Sequence, residues 1–499
     1  MIKIENKTIK SIIKQYKTIW AIGHAQKLMG WDAETYMPSA GINDRGDAEG
    51  MMAKMSQKLI LSNSLKKKIN NATQEKLNET EKGIIRVLKR EIDVLDKLPS
   101  SFVEKFAKLT TKARIYWRNA KEKNKFKIFQ KYLQQIVEMN TKKAEYIGFN
   151  GSPYNALLDL YEEGLTINGC DKIFDSIKNP LKQIITKIKN SEKFQEKHPI
   201  QDERYDKNEM DILNHKILKK FQFDLTRGRL DTSAHPFTEE IGGRNDVRIT
   251  TWYHGFDFNR SISSTIHEFG HALYEMQISE TLNQTPAGGG VSMGVHESQS
   301  RFWENLIGKN KTFIETNFEM FTKNLPFLKK HDTAEVYRYF NNVTPSLIRV
   351  ESDEVTYNFH IMLRYELEKK LIEGKIEVKN LPEIWNAKMQ EYLGITPKND
   401  SEGVLQDIHW SMGSIGYFPT YTIGTVLASQ ILNKMEKETG KINEIIKKEE
   451  YPVIKNWLKK NIHQYGSIYS TNELIKKVVG EVDTKYFIKH VEEKVKDLY

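Results

Sequence analysis

The residues most sharply spaced for chemistry lie in Ser264-Thr265-Ile266-His267-Glu268-Phe269-Gly270-His271-Ala272-Leu273-Tyr274-Glu275. His267 and His271 stand at i and i+4, so a helix stacks both imidazoles on one face. Glu268, about 100° further round, falls beside that pair without joining it. Two imidazoles suit Zn²⁺, and a catalytic zinc takes three protein ligands and keeps a position for water. Glu268 is then placed to accept a proton from that water. With 13 His in 499 residues, the motif arises by chance in roughly three such chains in a hundred. A pair of packed histidines is therefore the alternative that the rest of the chain has to exclude.

A third ligand is expected from the next helix. Pro286-Ala287-Gly288-Gly289-Gly290-Val291 is a pliable turn that can bring Val295-His296-Glu297-Ser298-Gln299-Ser300 back against the first helix. Glu297, placed at the start of that helix, is the expected ligand. Glu275 competes, but it continues along the histidines' own helix and would close a tetrahedron poorly. His296 reads at least as well as a packing or hydrogen-bonding residue. Further on, a long helix is predicted from Pro345 towards Leu371, with Arg349 and Asp353 at i and i+4, the spacing of a weak surface ion pair. The segment Gly403-Val404-Leu405-Gln406-Asp407-Ile408-His409-Trp410 precedes a glycine-rich aromatic turn containing Tyr417 and Tyr421. Polar groups beside such a turn suit a substrate pocket, although both tyrosines serve equally well as packing aromatics.

The elements that must position these groups are mostly helical. Ile262, Ile266, Phe269 and Leu273 form a stripe roughly opposite the histidines, so the metal helix packs on one side and faces a site on the other. Amphipathic helices are predicted over 5–29, 41–62, 79–96, 99–123, 126–147, 153–161 and 166–191, with breaks at proline and glycine. The aromatic stretch 31–38 is expected to pack on the main body. Two strands, 228–234 and 246–253, precede the metal helix; in the second, Val247, Ile249, Thr251 and Tyr253 alternate with polar residues and Trp252. Between them, Pro236 holds His235 extended. An edge of that sheet could pair with an extended peptide. No repeat or low-complexity linker divides the chain, so 1–499 reads as one catalytic unit, divisible into two helical lobes about a cleft.

Composition narrows the class. Hydrophobic residues at 39% and charged ones at 28% fit a globular protein with ample core. The N-terminus lacks an apolar signal region, no run reaches membrane-spanning length, and the lone Cys170 excludes an intrachain disulfide. A cytoplasmic protein without a membrane partner is expected. The net charge of +10 raises the question of RNA or another polyanion. The lysines, however, interleave with glutamates along helices, the pattern of a solvated surface and not of a phosphate footprint, so no nucleic-acid partner is expected.

Taken together, these stretches resemble the carboxypeptidase Taq family of zinc-dependent metallocarboxypeptidases. The resemblance runs in order through 31–38, His235-Pro236-Phe237, 246–251, His267–His271, His296-Glu297-Ser298-Gln299, 348–353, 403–410 and 416–424, nearly the whole chain. It implies metal ligands at His267, His271 and Glu297, a general base at Glu268, and Arg349 as anchor for the substrate's terminal carboxylate. It places His409 and Tyr421 near the scissile carbonyl and adds Arg248 and Gln406 to the substrate-binding set. It also implies a mainly α fold with a deep groove, a small antiparallel sheet beside the metal helix, and a homodimer. Zn²⁺, replaceable by Co²⁺, is the expected cofactor, and peptides with a free C-terminus are the expected substrates. Ser352 stands where the family commonly has alanine, and Trp252 where a basic residue is more usual; the second bears on subsite preference. Two other functions stay open: a helical oligopeptidase cutting internally with the same metal chemistry, and a non-catalytic basic binding protein.

Overall fold

The computed structural model describes residues 2–233 and 235–499, and for Ser39 the backbone alone. Ala234, the last residue of the first predicted strand, lies outside the described residues. Among those described there are twenty α-helices and a three-stranded sheet. The first predicted helix extends further than expected, over Lys7–Thr35, and takes in most of the aromatic stretch, with Trp31 buried. The second, Ile42–Ile60, falls within two residues of expectation, and a further helix that was not predicted, Asn63–Ala72, follows it. The next three, Glu79–Lys97, Ser100–Glu122 and Lys127–Ile147, fall within a residue of expectation.

The sheet differs in kind from the one expected. It is mixed, not antiparallel: β1 (Gly228–Thr232) runs parallel to β3 (Val247–Thr251), and a third strand, β2 (Thr238–Glu240), pairs antiparallel with β3 on its other side. The short segment after Pro236 becomes this strand because Gly242 and Gly243 turn the chain with positive φ and let Ile241 N–H reach the Asp246 carbonyl. That hairpin leaves only the far edge of β3 for β1, and the direction of the chain makes the pairing parallel.

The metal helix spans Phe258–Gln277. Its predicted stripe, Ile262, Ile266, Phe269 and Leu273, is buried in a core with Phe221, Phe302 and Trp303. Phe269 meets Trp303 edge-on with centroids 4.9 Å apart. Each such side chain contributes about 1.5–3 kcal/mol relative to exposure, so this face fixes the helix's rotation and aims its other face at the site. A second core lies around Trp117, Leu133, Phe359, Trp385 and Trp410. The helix Pro419–Thr439 contributes Ile423 and Leu427 to the first core and Val426 to the second, so one element joins the two. No helix is long and apolar enough to cross a membrane, among the described residues.

The long helix predicted from Pro345 is not continuous. A three-residue turn, Arg349–Glu351, is followed by a helix that begins only at Tyr357 and runs to Ile372. Asp353 accounts for the break. Its carboxylate accepts the backbone N–H groups of Val355 and Thr356 and, from the other side, that of Thr344. Such local bonds compete with a helix and start a new one. Arg349 and Asp353 therefore form no helical pair.

Candidate active site

Two crossing helices build the centre. Met293–Arg301 is capped by the Ser292 hydroxyl and packs across the metal helix, placing Glu297 in its second turn and not at its start. Glycine allows the crossing. A Cβ on Gly270 would lie 2.6 Å from both the Gln299 carbonyl oxygen and Ser300 Cα. On the other side, a Cβ on Gly424 would sit 2.5 Å from Glu297 Cβ, so the helix Pro419–Thr439 also closes directly onto this side chain. Gly270→Ala should destabilise the fold by about 1–3 kcal/mol through overpacking, seen as a lowered midpoint in denaturant titration. An unchanged midpoint would show that the helices separate freely.

His267 Nε2 lies 3.6 Å and His271 Nε2 3.4 Å from Glu297 Oε2. One ligand atom from each of the three residues falls within 4.8 Å of the others. Ligands about 2.0–2.2 Å from a tetrahedral ion stand roughly 3.3–3.6 Å apart, so the separations of both histidines from Glu297 suit a small divalent metal ion. The outer hydrogen bonds set the tautomers. His267 Nδ1 donates to Glu304 Oε2 at 2.9 Å, and His296 Nε2 donates to Glu275 Oε1 at 2.6 Å. That leaves His296 Nδ1 to accept from His271 Nδ1 at 2.8 Å. Both Nε2 lone pairs consequently face Glu297, the arrangement a metal requires. Glu275, the competing ligand, is spent on His296 and on the Gly290 N–H.

Burial opposes ionisation of Glu297, but the Arg301 guanidinium outweighs it and holds the carboxyl well below its usual range. Arg301 Nε donates to Glu297 Oε1 at 2.7 Å, and its Nη1 reaches Glu304 Oε2 at 3.1 Å. Burial pushes His271 down to about 4, towards the neutral ligating form. Glu268 is buried beside the pair, and desolvation raises its carboxyl above the ordinary value. Thr238 Oγ1 on β2 donates to Glu268 Oε2 at 2.6 Å, which orients the carboxylate. The two imidazoles remain 18% exposed, so the centre is open to solvent on one side.

The remaining predicted residues fall into two places. His409 Nε2 and the Tyr421 hydroxyl are 3.0 Å apart. Burial, with the charge of Arg349, pushes His409 down to about 3, so its imidazole is neutral. Arg349 is packed over the Tyr421 ring at 5.0 Å. Its partner is not Asp353 as the helical spacing offered: its Nε and Nη2 both lie 2.9 Å from Asp407 Oδ1, and its Nη1 donates to Tyr357 Oη at 2.8 Å. Arg364 takes the other oxygen of Asp407 at 2.6 Å, leaving the trio with one net positive charge. Gln406 Oε1 accepts from Arg349 N–H and Arg364 Nη2, and its amide N–H groups go to the Leu347 and Glu402 carbonyls. Arg248 lies elsewhere, on β3, bonded to Asp246 through Nε and Nη2 and stacked over Trp31 at 4.6 Å. Trp252 is 43% exposed beside His254.

Sequence reasoning missed Thr238, Arg301, Glu304 and Arg364. Arg301 carried a signal, its i+4 spacing from Glu297. Glu304 did not, because it reaches His267 from Phe302–Gly308, a π-helical segment whose i→i+5 turns no apolar period announces.

Two imidazoles and a carboxylate on crossing helices, with a further carboxylate beside them in a helical fold, define a metal-dependent hydrolase. The chain belongs to the carboxypeptidase Taq (M32) metallopeptidase family, whose profile matches residues 11–495. It is 48% identical over 493 residues to thermostable carboxypeptidase 1 of Pyrococcus furiosus, covering 98% of this chain and 99% of that one. It is 35% identical to carboxypeptidase 1 of Bacillus subtilis, covering 98% of each. The structure of the Pyrococcus furiosus carboxypeptidase designated Apo-Mg superposes with a TM-score of 0.95, covering 99% of each chain at 48% identity. A Trypanosoma cruzi metallocarboxypeptidase gives 0.90 at 32% identity, covering 98% of this chain and 99% of that one. The protein is a metal-dependent carboxypeptidase, a hydrolase acting on peptides.

Proposed function

We propose that the protein removes amino acids one at a time from free peptide C-termini, with Zn²⁺ held by His267, His271 and Glu297 and Glu268 as the general base. The observation that carries this reading is the convergence of those three donors within 4.8 Å of one another, beside a second, buried carboxylate, that of Glu268. A bound Zn²⁺, for which Co²⁺ is a fair substitute, supplies Lewis acidity that polarises a carbonyl and acidifies water.

The chain's own groups do the rest. Thr238 occupies one oxygen of Glu268, so the other takes the proton of the attacking water and passes it to the leaving amine. The Tyr421 hydroxyl, set by neutral His409, donates to the oxyanion as the carbonyl becomes tetrahedral. Arg349 meets the terminal carboxylate, and the ring stack of Tyr421 over its guanidinium ties anchor and oxyanion donor together. Gln406 acts through Arg349 and Arg364, and Arg248 steadies the sheet side of the peptide path. The chain works as one unit over 1–499, as a cytoplasmic homodimer. It has no nucleic-acid partner, a reading supported by lysines that are dispersed and interleaved with glutamates along helices such as Glu79–Lys97.

The test is mass spectrometry of a peptide ladder with and without chelator. Successive loss of single C-terminal residues, abolished by chelation and restored by metal, is expected. Internal fragments would favour the oligopeptidase, and chelator-resistant hydrolysis would remove the metal from the reaction. The outer hydrogen bonds make a second prediction. Glu304→Gln should weaken metal binding about 10- to 100-fold, since a carboxylate partner sharpens imidazole basicity. Competition with a metallochromic chelator measures this, and unchanged affinity would leave Glu304 a purely structural anion.

A further inference from the structure

Glu368 lies on the helix Tyr357–Ile372 and is fully buried. Arg364, one turn earlier, is the expected i, i+4 partner, but its guanidinium is spent on Asp407 and Gln406. The carboxylate takes three neutral donors in its place. Trp410 Nε1 donates to Oε1 at 2.8 Å, and the Tyr154 hydroxyl and Gly416 N–H donate to Oε2 at 2.7 and 2.8 Å. A buried carboxyl group with no direct cationic partner is a costly choice, and the donors show what it holds.

Trp410 follows His409 directly. Gly416 closes the turn that starts at Trp410 and leads on through Tyr417 into the helix Pro419–Thr439, which carries Tyr421. Tyr154 belongs to Pro153–Tyr161, the helix against which Gly416 is pressed so closely that a Cβ there would lie 2.8 Å from the Leu157 carbonyl. Glu368 thus grips both ends of the turn whose flanks meet at the 3.0 Å contact between His409 and Tyr421.

We propose that Glu368 is a positioning residue for peptide hydrolysis: by holding Trp410 and Gly416 in one carboxylate clamp, it sets the His409–Tyr421 pair against the scissile carbonyl. This rests on the reading that the pair serves the oxyanion. Glu368 touches neither substrate nor metal, so its effect passes through that pair. Group placement matters steeply in such a site, where a shift of about 1 Å costs up to about a hundredfold in rate.

The experiment is a double-mutant cycle on the metal-loaded protein with a blocked dipeptide of free C-terminus. Glu368→Gln keeps the volume, but however the amide turns, its NH₂ meets either Trp410 Nε1–H or Gly416 N–H. One side of the clamp opens. The expected result is a fall in kcat of about 10- to 100-fold with KM and metal content unchanged, the sign of an interaction realised in the transition state. In a Tyr421→Phe background the same change should cost little more, because both act through one group. Parental kcat in folded Glu368→Gln, or full additivity with Tyr421→Phe, would overturn the proposal. Should Glu368→Gln not fold, Tyr154→Phe removes one donor and keeps the carboxylate; it should lower kcat less, again non-additively, and an unchanged kcat would count against the clamp. Parental kcat in both Tyr421→Phe and His409→Ala would refute the oxyanion reading and this proposal with it. Impairment of those two beside a fully active Glu368→Gln refutes the clamp alone.

Discussion

Replacing Glu268 by glutamine slows hydrolysis by about two to four orders of magnitude, the range of general acid–base catalysis, while the metal stays bound. The substitution exchanges one carboxylate oxygen for NH₂ and leaves the shape intact. The amide oxygen can still accept from Thr238 Oγ1, now 2.6 Å from Glu268 Oε2, so the side chain should keep its orientation. It loses the capacity to take a proton. Because Glu268 stands outside the His267, His271 and Glu297 donor set, metal content should match the parent. Elemental analysis and kcat on one preparation decide the point. A metal-loaded and fully active Glu268→Gln would assign the base elsewhere.

Arg349→Ala should lower kcat/KM for free-acid peptides by roughly 2–5 kcal/mol, or about thirty- to several-thousand-fold, the cost of removing one partner of a desolvated charge pair. The structure alters the grounds for this. A weak surface pair with Asp353 is not what stands there: Arg349 is 7% exposed and already paired with Asp407. Asp407 is shared with Arg364, however, and two guanidiniums against one carboxylate leave a positive charge for the substrate. Arg364 keeps Asp407 partnered in the variant, so the fold should survive. The discriminating comparison uses free-acid and C-terminally amidated forms of one peptide with both proteins. Amidated peptide should be a poor substrate for the parent, and Arg349→Ala should change its cleavage little. Equal cleavage of both forms by the parent would make Arg349 structural and favour internal cleavage.

The sequence by itself determined what depends on spacing along one helix or on the order of motifs. His267, Glu268 and His271 are legible because i, i+1 and i+4 map directly onto a helical face, and the stripe from Ile262 to Leu273 because burial follows the same period. The mainly helical class follows from repeated patterns of that kind. Where Glu297 ends up depended on more than period, and it sits a turn deeper than its helix signal suggested. Tertiary structure alone decided the groups that hold the site. Thr238 reaches Glu268 because a three-residue strand pairs with β3, and a strand so short carries no pattern of its own. Arg349 meets Asp407 across 58 residues of chain, and Glu368 meets Trp410 across 42. Such contacts follow from how cores close and which buried charges find partners, and no local periodicity encodes them. Asp353 shows the same limit at short range: its side chain outcompeted the helix, so Arg349 entered the site from a turn.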